Sequence, residues 1–130
     1  MKTHWITWTL VATGALNVFV GAAALLAPAW FYAAIGDFAP FNRHYIGDVG
    51  GFVLALGVGL LFAARDPARH RPVVGVAALA GGLHTLNHLY DDITAGDWAG
   101  HFLSDTIPLL ALVILLGVVY WRSGAEKSNP

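Results

Sequence analysis

Apolar residues run in four long stretches, approximately 5–27, 45–64, 72–90 and 99–121, and short segments between them hold most of the charge. At a rise of about 1.5 Å per residue, each stretch is long enough as a helix to cross the roughly 30 Å hydrocarbon core of a bilayer. The pattern predicts an all-α fold: a polytopic membrane protein whose residues 1–130 form a single domain, a bundle of four transmembrane helices. The first stretch follows Lys2 and could be a cleaved leader, but its length and the position of Pro28 favour retention as a helix.

Polar and small positions inside the stretches predict how the helices meet. In the second, Gly47, Gly51, Ala55, Gly59 and Ala63 recur every four residues and form a small-residue ridge, a surface for close helix packing or for a homo-oligomer. Asp48 adjoins that ridge and is expected to point into the bundle. In the third, Ala77, Ala80 and Gly81 share a helical face with His84 and His88, which should look inward too. Asn17 is expected to hydrogen-bond to a neighbouring helix. Pro108 removes the donor that would serve the Ser104 carbonyl, predicting an irregular helix beside His101 and Asp105. The apolar segment 28–42 reads as an interfacial lid, and Asn42 and Asp97 read as helix N-caps.

Composition agrees with a lipid environment. Hydrophobic residues make up 57% and charged residues 12% of the chain, and mean hydropathy is +0.62. A net charge of −1 with no basic patch argues against a nucleic-acid partner. The absence of cysteine excludes disulfides, thiolate catalysis and Cys-ligated metals. Lys2, Arg65, Arg69, Arg71, Arg122 and Lys127 fall at one end of the predicted bundle, which places both termini in the cytoplasm of a bacterial inner membrane. Asp37, Asp48, Asp91, Asp92, Asp97 and Asp105 gather at the other, outer end. Tryptophan and tyrosine lie near both sets of ends, as in an aromatic belt.

The outer end also carries the chemistry. His44/Asp48, His84/His88, His88/Asp92 and His101/Asp105 are all spaced i,i+4, which puts both partners on one helical face. Ionisable groups near lipid are costly and mark functional sites. One reading is a divalent-metal site for zinc, iron or manganese. His84, His88, Asp48 and Asp105 would be its inner ligands, with His44, His101, Asp92 and Asp91 around them. A metal-bound water there could act on a lipid-like or small substrate. The run HTLNH lacks the glutamate of a zinc-protease helix, so proteolysis gains no support. A second reading is a redox subunit holding b-type haem between histidines, or a quinone. A third is non-enzymatic: a packing, partner-binding or pH-sensing membrane subunit whose His and Asp residues satisfy one another, or the helix dipoles. These alternatives stay open, as does whether the chain is an enzyme. His4 and His70 read as solvated interface residues, and the tail SGAEKSNP as a polar end.

The run NRHYIGDVGGFVLALGVGLLFAAR (42–65) and the run LHTLNHLYDD (83–92) resemble small uncharacterised bacterial membrane proteins loosely related to the DoxX-like group. The resemblance covers most of the chain. It implies a four-helix bundle and, as in some members, quinone-linked sulfur oxidation, but it transfers no catalytic residue to a position here.

Overall fold

A computed structural model describes residues 4–36, 40–95 and 100–125. The fold is all-α, in the order α1 (His4–Leu26), α2 (Pro28–Ala34), α3 (Arg43–Ala63), α4 (Arg71–Ala95), a π-helical turn (Phe102–Thr106) and α5 (Ile107–Ala125). The chain divides into two compact units, Met1–Asp66 and Pro67–Pro130.

In the first unit α1 packs along α3, and glycines set their separation. A Cβ on Gly14 would lie 3.0 Å from the Gly57 carbonyl oxygen, and one on Gly57 would lie 2.8 Å from that of Gly14 and 2.6 Å from the Val18 nitrogen. A Cβ on Gly21 would run into the Leu54 nitrogen, and one on Gly50 would lie 2.9 Å from the Gly21 carbonyl oxygen. The backbones therefore touch at two places seven residues apart on each helix, the spacing that keeps one face toward a partner over two turns. Ile6, Leu10, Leu60 and Ala63 fill the remaining contact.

This packing corrects two expectations. The ridge predicted on α3 is not the one that α1 uses: a Cβ on Gly47 or Gly51 would meet nothing within 4 Å, and Ala55 is exposed, although Ala63 is buried. The face in use passes through Gly50 and Gly57, where backbone, rather than side chain, is the partner. Asp48, two residues before Gly50, is turned away from that face and is exposed. Asn17 donates from Nδ2 to the Thr13 carbonyl 2.8 Å away, one turn back on its own helix. A hydrogen bond within the helix satisfies the amide without needing a neighbour.

Pro28 opens α2, where its missing N–H costs nothing. The Ile35 and Gly36 amides both donate to the Phe31 carbonyl and end this helix. Segment 28–42 thus contains a helix of seven residues, and the Tyr32 and Phe41 rings meet edge to face at 5.3 Å.

In the second unit α4 packs on α5, presenting Val74, Ala77, Gly81, Thr85, His88 and Asp92 as one stripe in steps of three and four. Val74, Ala77, Thr85 and Asp92 are buried, and a Cβ on Gly81 would lie 3.1 Å from Val113. The step after Gly81 is four rather than three, so Thr85 faces inward and His84 is exposed, contrary to the expected inward pair. Thr85 gives its hydroxyl to the Gly81 carbonyl at 2.8 Å, so burial leaves no hydroxyl unpaired.

Among the described residues three helical segments are long and apolar enough to cross a membrane: His4–Leu26, Arg43–Ala63 and Phe102–Ala125. Only 28%, 22% and 17% of their most apolar windows are buried, so most of their apolar surface is left for the surroundings. Four such segments were expected. The long helix outside this set is α4, whose C-terminal part carries His84, Asn87, His88, Asp91 and Asp92.

Candidate functional site

The irregular start of α5 follows from Pro108. It has no N–H, and its ring would press on the carbonyl one turn earlier, so the i→i−4 ladder cannot continue through it. The Ile107 amide donates instead to the Phe102 carbonyl five residues back, which closes the π turn. Upstream, the Ser104 amide and hydroxyl both reach the Gly100 carbonyl, at 3.2 and 3.1 Å. The irregularity expected from Pro108 is present, and it takes this form.

The turn holds Thr106 against α4. The Thr106 hydroxyl donates to Asp92 Oδ2 at 2.6 Å, and Asp92 is only 3% exposed. A buried carboxyl group is costly unless it is hydrogen-bonded, and a short O–H···O contact is the strong kind. Thr106 played no part in the expected site. The available signal was a hydroxyl two residues before a proline, at the end of the partly polar stretch 101–106.

The neighbouring polar groups pair locally. On the turn, His101 Nδ1 lies 3.5 Å from Asp105 Oδ2, with side chains 42% and 28% exposed. On α4, Asn87 Nδ2 donates to Asp91 Oδ2 at 3.3 Å. His84 and His88 meet edge to face, with ring centroids 4.7 Å apart and planes at 84°. In the first unit, Asn42 caps α3 as expected, its Oδ1 accepting from the His44 and Tyr45 amides at 3.0 and 3.3 Å. One turn further in, His44 Nε2 lies 3.4 Å from Asp48 Oδ2, with side chains 79% and 56% exposed. Of the four i,i+4 pairs read in the sequence, His44/Asp48, His84/His88 and His101/Asp105 therefore make contact. Asp92 takes a partner on another element. The cap expected at Asp97 lies outside the described residues.

Among the described residues no group of three or more histidines, aspartates or glutamates is placed to hold a metal ion. Among the described residues these side chains make contacts at the start of α3, at the end of α4 and on the π turn.

Among the described residues the chain is all-α, with three helices that have the length and composition of membrane-crossing segments, the character of a small helical membrane protein. Residues 3–130 match a family of unknown function, DUF6632, and the chain belongs to it. No curated protein and no solved structure matches it.

Proposed function

We propose that this chain is a non-enzymatic, pH-responsive subunit of the bacterial cytoplasmic membrane. In this reading it crosses the bilayer four times with both termini inside, and its histidine–aspartate pairs face outward. The 25 residues of α4 reach roughly 37 Å, long enough to cross despite its polar end. The excess of arginine and lysine toward the opposite helix ends supports the orientation.

The observation that carries the reading is the juxtaposition on the π turn. His101 and Asp105 pair immediately before Thr106, which bonds buried Asp92. Histidine is the side chain that ordinarily changes charge between pH 5 and 8. A proton on His101 turns its contact with Asp105 into an ion pair and tightens the segment that presents Thr106. Among the described residues the other titratable groups at this end of the second unit are His84, His88, Asp91 and Asp92.

Hydrogen exchange on the full-length protein in lipid nanodiscs tests this. Amides of the π turn should become more protected as pH falls from about 8 to about 5, and His101→Gln should flatten that dependence while leaving helix content unchanged. Equal pH dependence in the variant overturns the reading. So does a stoichiometric metal, or a haem absorption band, that is lost on substituting His88 or His101.

A further inference from the structure

At the other end of the α4–α5 pair a cation is held in a seat that no acid among the described residues completes. Arg71 Nε donates to the Tyr120 carbonyl at 2.8 Å, and the guanidinium lies 3.9 Å over the Tyr120 ring. Gly124 makes room for it: a Cβ there would lie 2.7 Å from the guanidinium carbon. The Tyr120 ring rests in turn on Gly75, where a Cβ would lie 3.0 Å from it. No carboxylate among the described residues forms an ion pair with Arg71. Guanidinium offers five N–H donors; among the described residues the seat engages the one on Nε, and the terminal nitrogens can meet an anion.

Tyr120 is also a wall of an open groove of about 370 Å³ between α4 and α5. The rest of its lining is apolar or small, including Gly75, Val76, Leu79 and Gly117. Gly117 leaves it wide, since a Cβ there would meet nothing within 4 Å. From Pro72 to Leu79 the groove follows about 10 Å of α4. A pre-positioned cation therefore stands at one end of an apolar slot, with Trp121 exposed nearby as interfacial residues are.

We infer that this groove seats one acyl chain of an anionic phospholipid, with the headgroup phosphate on Arg71. The inference rests on the membrane reading above. Charge selects this occupant. A neutral lipid or an apolar helix fills the slot without using the guanidinium, whereas an anionic phospholipid uses both. Arginine matches phosphate in pairs of hydrogen bonds, and the leaflet beside basic helix ends is the one that attracts positive charge to anionic lipid.

The test is native mass spectrometry of the detergent-solubilised full-length protein titrated with phosphatidylglycerol or phosphatidylcholine. Carbonate extraction of the membranes comes first. Phosphatidylglycerol should be retained preferentially, and Arg71→Gln should weaken it about fivefold. Gly117→Leu, which fills the slot and leaves the Arg71 seat intact, should also displace it without loss of helix content. Equal retention of the two lipids overturns the inference. So does binding of glycerophosphate as tight as that of the lipid and indifferent to Gly117→Leu, which marks a site for free anions. A dimer abolished by Gly117→Leu assigns the groove to a second copy and overturns it too. Release of the protein by carbonate defeats the membrane reading itself, whereas retention in the membrane with no lipid preference defeats this inference alone.

Discussion

A single methyl group on Gly57 would have to occupy space 2.6 Å from the Val18 nitrogen and 2.8 Å from the Gly14 carbonyl oxygen. Neither neighbour can swing aside, because both are helix backbone. Alanine is otherwise the better helix former by up to about 1 kcal/mol, so the sign of the substitution depends on the space. Gly57→Ala should destabilise the protein by about 1–3 kcal/mol, the usual cost of overpacking. Gly51→Ala, where a Cβ meets nothing within 4 Å, should be neutral or slightly stabilising. Denaturation in mixed detergent micelles, followed by circular dichroism, measures both. The glycines were visible in the sequence, but which of them touch α1 was not. Gly47 opens a run of small residues spaced by four and Gly50 pairs with Gly57 at a spacing of seven, and only the partner's own glycines show which one α1 uses. His84 shows the same limit, since a step of three or four after Gly81 is equally helical.

Among the elements, the π turn is where sequence reasoning reached furthest. Pro108 announces a broken ladder, and the break is there. Its form was hidden because a proline can be met by a kink, a water or a widened turn. The partner of Asp92 was hidden for a related reason: spacing along one helix finds neighbours on that helix, whereas Thr106 is on another element. Thr106→Val keeps the shape and removes the donor, which leaves a buried carboxyl oxygen without its 2.6 Å hydrogen bond. The expected loss is about 1–3 kcal/mol, read as a shift in the same denaturation curve. If stability is unchanged, that bond contributes nothing to holding the turn on α4.

At the scale of the molecule, hydrophobic length gave the long helices to within a few residues, apart from the C-terminal end of α4 and the start of α5, because about twenty apolar residues have few other uses. It gave α4 less well. The 72–90 run continues as helix to Ala95 through Asp91, Asp92 and Thr94, polar residues that hydrophobic length does not count. Orientation was read from charge alone, and a fusion experiment tests it: fluorescent protein on either terminus should fluoresce, and alkaline phosphatase on either should be inactive. An active phosphatase at one end reverses that terminus. The glycine contact between α1 and α3 has a further consequence for how the protein is made. Both faces of that contact lie within Met1–Asp66, and its glycine pairs call on no residue after α3. Chains are synthesised from the N-terminus, and their domains can fold in that order. The first hairpin can therefore zip shut in the bilayer while α4 and α5 are still to be translated.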